Sequence, residues 1–308
     1  MVIIMKGGFA LEINHLSNCR LCPRECSADR AGGRVGYCKA GTDIKIARAA
    51  LHQWEEPPVS GTQGSGAVFF SYCNLGCVFC QNYKISKEHR GRSVSVDELC
   101  KIFLDLQTQG AHNINLVTPT HYIPQIAEAL IMAKKAGLDI PILYNCGGYE
   151  SADALKLLDG LIDIYMPDVK YASDKYAVKY SNAPNYFEYA KKALEEMYRQ
   201  VGKPVLDDNG IMQRGMLVRH MLLPGLLFDS KKILDYLYAT FGDNIYISIM
   251  NQYTPMPCAA DYPEINKRVD KRYYEALVDY AEKLGITNAF VQSGEAVGES
   301  FIPEFYSE

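Results

Sequence analysis
The cysteines of this sequence are spaced for metal chemistry. Three fall in Cys73-Asn-Leu-Gly-Cys77-Val-Phe-Cys80, a C-x3-C-x2-C pattern. Thiolates are soft ligands that suit iron–sulfur clusters and zinc. Three of them can hold three irons of a [4Fe–4S] cluster. So short a loop offers no fourth thiolate, which leaves one iron open, as a catalytic metal requires. Zinc, or buried free thiols, are the other readings of the spacing alone. Phe79 just before the last cysteine, Gln81-Asn82 just after it, and the position of the loop behind an apolar run weigh against them.

A second set, Cys19, Cys22, Cys26 and Cys38, lies upstream among arginines, glycines and prolines. Four thiolates close a tetrahedral zinc site or hold a fully ligated iron–sulfur cluster, and the spacing does not separate the two. Four reduced thiols in a capping segment are the plainer alternative. Arg20, Arg24, Arg30 and Arg34 add positive charge, which suits an anionic cluster or an acidic partner. Cys100 and Cys146 fall within apolar patterns and read as buried hydrophobes. Cys258 is a loop thiol with no assigned role.

The elements that must position these residues alternate. Apolar runs at 66–73, 113–119, 141–147, 163–168, 216–225, 244–253 and 288–294 end in turn or polar residues and predict buried parallel strands. Helical patterns lie between them, at 96–110, 123–137, 152–160, 186–202, 230–242 and 270–285. Repeated strand–helix units predict an α/β fold, a partial (β/α)6 TIM-like barrel with right-handed crossovers. Chemistry then gathers at the C-terminal ends of the strands. Cys73, Thr118, Asn145 and Asp168 stand after, or late in, the first four runs. Residues 1–65 are expected to form an N-terminal Cys-rich segment and 66–308 the barrel domain. The stretch WEEPPVSGTQGSG reads as turns feeding the first strand. Its Gly-rich part lacks the Lys-Ser/Thr ending of a phosphate loop.

Composition narrows the class. The 308 residues are 48% apolar and 22% charged, enough for a large core. The net charge of −4 and the lack of a basic block argue against nucleic acid as partner. No apolar run approaches the roughly 20 residues that cross a bilayer, so no membrane is expected. The opening MVIIMKGGFALEIN lacks the basic start and cleavage site of a signal peptide. Clustered cysteines without an export signal read as metal ligands in a reducing compartment, and a cytoplasmic protein is expected.

The motif CNLGCVFCQN resembles the signature of the radical SAM superfamily. With TPTHYIP, YNCGGYE, DIYMPDVKY and ISIMNQYTP, the chain is similar to the pyruvate formate-lyase activating-enzyme-like branch. More narrowly, it is similar to a subgroup with an N-terminal C-x-L-C-P-R-x-C segment, here Cys19-Arg-Leu-Cys22-Pro-Arg-Glu-Cys26. The resemblance implies a barrel of the radical SAM type, with a [4Fe–4S] cluster on Cys73, Cys77 and Cys80. S-adenosylmethionine (SAM) chelates the open iron and is cleaved reductively to a 5′-deoxyadenosyl radical that abstracts hydrogen.

It further implies Phe79 against the adenine, Asp168 and Lys170 of the D-x-K motif on the methionine portion or ribose, and Arg219 near SAM. Asn145 stands where activating enzymes often carry an aspartate, and its amide suits the ribose. Val117-Thr118-Pro119-Thr120 replaces the common Gly-Gly-Glu stretch, leaving backbone carbonyls and the Thr118 hydroxyl to meet the SAM amino group. His121, next in the chain, reads as structural. The implied partners are a protein substrate, a glycyl-radical enzyme or another, and a flavodoxin- or ferredoxin-type reductant. Radical modification of another protein, peptide or metabolite is the alternative. A non-catalytic iron–sulfur electron-transfer protein is the rival from a different class.

Overall fold
The computed structural model describes residues 15–292 and residue 305. The opening apolar patch and the last two residues of the run 288–294 lie outside the described residues. Ten strands occur in chain order: β1 Ile44–His52, β2 Ser65–Phe70, β3 Arg92–Val94, β4 Ile114–Val117, β5 Ile142–Cys146, β6 Ile164–Pro167, β7 Val205–Leu206, β8 Met212–Met221, β9 Tyr246–Met250 and β10 Ala289–Val291. The sheet order is β10-β9-β8-β6-β5-β4-β2-β1-β3, with β7 paired to β8. Neighbours from β2 to β10 along this order pair in parallel, and each of the seven runs expected from sequence supplies one such strand. β3 and β10 form the two edges, so the sheet curves without closing.

β1 and β3 were not expected. β1 pairs antiparallel with β2 from His52↔Ser65 to Ile46↔Phe70, and β3 pairs antiparallel with β1. The sheet therefore runs on into the N-terminal segment. A helix over Asp174–Ser181 was also not expected, and the stretch 152–160 is one α-turn, Ala152–Leu155, followed by a 3-10 turn.

Parallel strands bury both faces, and alternation decides which residue faces which layer. In β5, Ile142, Tyr144 and Cys146 pack with the helices, while Leu143 joins Ile164, Met166, Met212 and Leu217 on the other face. Val59 is fully buried in that second cluster. It rides on the one-turn helix Pro57–Ser60, and Asn113 Nδ2 donates to its carbonyl at 2.8 Å. The segment read as turns from sequence thus fills the concave face below the C-terminal strand ends. Each such fully buried aliphatic side chain contributes about 1.5–3 kcal/mol.

The helix Val96–Thr108 begins at a capping box. Ser95 Oγ accepts from the Glu98 N–H, and Glu98 Oε2 accepts from the Ser95 N–H. Leu99, Cys100, Phe103 and Leu106, at helical spacing, form its buried stripe.

Candidate active site
The loop Cys73–Cys80 leaves the C-terminal end of β2 through Tyr72, whose φ of 74° is in the left-handed region. Such a φ is uncommon for an aromatic residue and marks a backbone held by its surroundings. The end of the helix Asp174–Ser181 supplies part of that hold. Gly76 N–H donates to the Ser181 carbonyl and Val78 N–H to the Tyr180 carbonyl, each at 2.9 Å. Asn74 Nδ2 donates to the Tyr149 carbonyl at 2.5 Å. From the N-terminal side, Arg24 Nε donates to the Asn74 carbonyl at 3.0 Å.

Each thiol of the loop has a polar neighbour. Leu75 N–H points at Cys73 Sγ at 3.3 Å, and the Ser181 hydroxyl donates to Cys77 Sγ at 2.9 Å. Ser86 Oγ lies 3.3 Å from Cys80 Sγ. Tyr171 OH and Ser181 Oγ, 2.8 Å apart, extend this chain away from Cys77. Burial pushes the Cys73 and Cys80 thiols up, and Cys77 adds to the rise of both, while the Lys170 ammonium opposes it. Among the described residues no three His, Cys, Asp or Glu side chains stand converged on a metal position, in this loop or in the Cys19–Cys38 set. The donor chemistry nonetheless fits a cluster: three soft ligands, each with a hydrogen-bond donor or hydroxyl beside it, and a nearby cation to balance thiolate charge.

The loop forms one wall of a cleft of about 240 Å³ at the C-terminal ends of the strands. Phe79, Thr118, Asn145, Asp168, Lys170 and Arg219 line it together with the three cysteines. Phe79 is buried beside Tyr171 and Tyr253, with ring centroids 6.5 and 5.9 Å away. Thr118, one residue past β4, has φ 59°, a strained value for a β-branched side chain. Its N–H donates to the Asn145 carbonyl at 2.8 Å, which ties the two strand ends together. His121 faces away from this chemistry. It is buried and pairs through Nε2 with the Ser71 carbonyl at 2.7 Å.

Asp168 and Lys170 are not a solvated surface pair. Lys170 Nζ donates to Asp168 Oδ2 at 2.6 Å, and their side chains are 17% and 20% exposed. Arg219 sits across from them, joined through the bridge between Asp168 and Arg219. Its Nε donates to Asp168 Oδ1 at 2.9 Å, its Nη2 to Asn145 Oδ1 at 2.8 Å and its Nη1 to Glu55 Oε2 at 3.0 Å. Burial alone would raise the Asp168 carboxyl, but Arg219 and Lys170 outweigh it and hold it below its usual range. Burial likewise works against charge on Lys170, and Asp168 with Cys77 overcomes it.

Glu55 and Glu56 were not singled out from sequence. Glu55 Oε1 accepts from Asn115 Nδ2 at 2.9 Å and from Asn145 Nδ2 at 3.4 Å. Glu56 Oε2 lies 3.9 Å from Arg219 Nη1, and burial raises its carboxyl despite that cation. Tyr186, the first residue of the helix Tyr186–Val201, was also passed over. Its hydroxyl lies 2.8 and 2.9 Å from the Gly147 and Asp168 carbonyls and accepts from the Lys170 N–H at 3.0 Å. It pins the D-x-K turn from behind. No sequence signal separates such a tyrosine from an ordinary buried one. The adjacent acidic pair in a Pro-rich stretch is the one clue the chain offered for Glu55 and Glu56.

A parallel, open β/α sheet with a thiolate loop and a charged cleft at its C-terminal edge defines an enzyme of the barrel class built to seat a metal-dependent cofactor. The family model of the Radical SAM superfamily matches residues 67–237, and the chain belongs to that superfamily. A [4Fe–4S] cluster and SAM are the cofactors that membership carries.

Among known proteins, the chain is 27% identical over 283 residues to the uncharacterized protein MJ0674 of Methanocaldococcus jannaschii, covering 89% of this chain and 77% of that one. A second uncharacterized protein of that organism, MJ0808, is 24% identical over 175 residues, covering 51% of this chain and 50% of that one. The crystal structure of Streptococcus suis SuiB bound to S-adenosylmethionine shares the fold with a TM-score of 0.50 at 13% identity. The match covers 72% of this chain and 48% of SuiB, so the chain spans about half the length of that structure.

Proposed function
We propose that this chain cleaves SAM reductively in the cleft beside Cys73, Cys77 and Cys80 and uses the 5′-deoxyadenosyl radical to abstract hydrogen from a protein or peptide. The observation that carries this reading is the shared cleft: the cluster loop, with Phe79 in it, and five polar candidates from four other places in the chain line one cavity. The cluster, when bound, supplies the electron that breaks the sulfonium bond. The remaining work belongs to side chains.

Phe79 offers an apolar wall for the adenine. The Thr118 hydroxyl and neighbouring carbonyls meet the SAM amino group. Asp168 and Lys170, already paired, present a fixed carboxylate and ammonium to the methionine portion or ribose. Arg219 positions Asp168 and Asn145 through Nε and Nη2 and holds Glu55 through Nη1, which leaves one N–H on each terminal nitrogen for SAM. The motif resemblance supports a glycyl-radical enzyme as the hydrogen donor and a flavodoxin- or ferredoxin-type protein as the reductant.

The test is anaerobic reconstitution with iron and sulfide, followed by SAM and dithionite. Wild type is expected to form 5′-deoxyadenosine and Cys77→Ala is not. A fully loaded four-iron protein that forms none would refute the proposal in favour of electron transfer. Deuterium carried from a labelled glycyl-radical enzyme into 5′-deoxyadenosine would identify the donor, and its absence would turn the search to other peptides and to metabolites.

A further inference from the structure
Outside the cleft, the Cys19–Cys38 segment is held in tight turns by backbone hydrogen bonds that bring its four thiols into one region. Its cysteines sit on two facing turns. In the first, Ser27 N–H returns to the Cys19 carbonyl and Glu25 N–H to the Cys22 carbonyl, each at 3.0 Å. In the second, Lys39 N–H returns to the Gly36 carbonyl at 3.1 Å around Cys38. Glu25, Ser27 and Lys39 all have left-handed φ, at 39°, 50° and 65°. Three non-glycine residues in that region within one short segment are costly unless something holds the turns. Gly36 lets the turns close, because a Cβ there would overlap Cys26 Sγ. Cys26 Sγ lies 3.9 Å from the Cys19 carbonyl, and Cys38 packs against the buried cluster that contains Cys19.

A buried cation beside this set makes the second point. Arg30 is 2% exposed, and its hydrogen bonds go to the carbonyls of Gly41 and His121. No carboxylate pairs with it among the described residues. A buried guanidinium needs an anion, and Cys38 lies within its electrostatic reach. Four thiolates on one divalent metal leave net negative charge, which fills that need.

The third observation is where the turns lead. Arg24, from the first turn, stacks its guanidinium 3.6 Å from the centre of the Tyr37 ring, from the second. This pair lies on the cluster loop. Arg24 donates to the Asn74 carbonyl, and a Cβ on Gly76 would come within 2.7 Å of the Tyr37 hydroxyl.

We propose that Cys19, Cys22, Cys26 and Cys38 hold a second, four-thiolate metal centre, and that this centre fixes the Cys73–Cys80 loop from outside the barrel through the Arg24–Tyr37 stack. The thiolate chemistry is common to zinc and to a closed iron–sulfur cluster, and elemental analysis separates them. Only the loop's importance rests on the radical SAM reading. The metal site does not.

The test uses the full chain with Cys73, Cys77 and Cys80 all changed to alanine, so that metal on the loop is not counted. Zinc, iron and sulfide are measured after anaerobic purification and after reconstitution. About one zinc per chain, or about four irons with matching sulfide, is expected. Metal below about a tenth of that in a folded protein overturns the proposal. Mercurial-triggered zinc release, or bleaching of the cluster absorbance, repeats the count with the four cysteines intact.

For the positioning role, Arg24→Ala in the otherwise native chain should keep the second metal. It should speed hydrogen exchange at the Gly76 and Val78 amides by roughly tenfold and alter the EPR signature of the loop cluster with SAM. Unchanged exchange and an unchanged spectrum would remove the coupling. A chain that forms no 5′-deoxyadenosine but still binds metal at these cysteines would refute the proposed activity alone.

Discussion
Arg219→Ala is the most informative single change at the cleft. The guanidinium lies between Glu55 at 3.0 Å, Asp168 at 2.9 Å and Glu56 at 3.9 Å, and its side chain is 15% exposed. Removing one partner of a buried ionic network costs about 3–5 kcal/mol, because the opposite charges stay behind unpaired. Here three carboxylates would face Lys170 alone. At about 2–4 °C per kcal/mol for a chain of a few hundred residues, the thermal midpoint should fall by roughly 6–20 °C.

The pH dependence gives a second check. Asp168 is held below its usual range, so its stabilising contribution is present above the unfolded value of about 3.9 and is lost as pH falls through the folded value. Without Arg219 the remaining carboxylates can relieve their repulsion by taking up protons. The penalty should therefore be largest near pH 7.5 and smaller near pH 5. Urea unfolding of the metal-free protein at both pH values reads it directly. Arg219→Lys keeps the charge but loses the planar fork, so it should recover only part of the loss. A penalty below about 1 kcal/mol, equal at both pH values, would mean that the network is solvent-screened and that the reasoning is wrong.

Three further outcomes are expected. His121 is pushed down to about 3 by burial and by Arg30, so it stays neutral in the folded protein; its stability contribution is full above about pH 6.5 and declines by about 1.4 kcal/mol per pH unit below that. His121→Gln should flatten the fall in stability between pH 6.5 and 4.5 by about 2–3 kcal/mol in urea melts. Glu150 runs the other way. Burial lifts it to about 7 despite hydrogen bonds from Thr120 and Tyr144, so its stability contribution is present below the usual carboxyl range and lost as pH rises through 7. Glu150→Gln should gain about 2–3 kcal/mol on wild type between pH 5 and pH 8, read as a difference in urea midpoints, and no gain would place its proton elsewhere. Gly148→Ala combines a φ of 77° with overlap on the Asp168 carbonyl. It should cost about 2–4 kcal/mol in thermal melts and weaken SAM binding in calorimetry, since the D-x-K turn must move.

The barrel was legible because a doubly buried parallel strand must be apolar throughout, and seven such runs stand out between helical patterns. Thr118, Asn145 and Asp168 stood out because they interrupt those runs at their C-terminal ends, just past β4, late in β5 and just past β6, whereas Arg219, early in its run, stood out only through the family resemblance. β1 was harder to read. Its sequence IKIARAALH carries arginine and histidine on an antiparallel strand whose burial is only partial, so it lacked the apolar continuity of its neighbours. Arg30 read as one of four arginines whose charge suits an anionic cluster or an acidic partner, and nothing local to its sequence reveals that Gly41 and His121 carbonyls enclose it.

Glu55 and Glu56 show the physical reason for the largest omission. Charged residues beside two prolines in a turn-rich stretch ordinarily face water. Here the open sheet leaves a concave face that has to be filled, and Val59 fills its lower layer among Leu143, Ile164 and Met166. The two glutamates precede Val59 by four and three residues, so seating that valine carries them beneath Arg219. Their burial is tolerable only because Arg219, Asn115 and Asn145 are already there to meet them. Arg219 in turn needs them, since Asp168 alone must also serve Lys170. The charge of the cleft floor is thus set jointly by strand ends and by a segment that precedes the first parallel strand. That joint dependence is why neither stretch, read alone, announces the site.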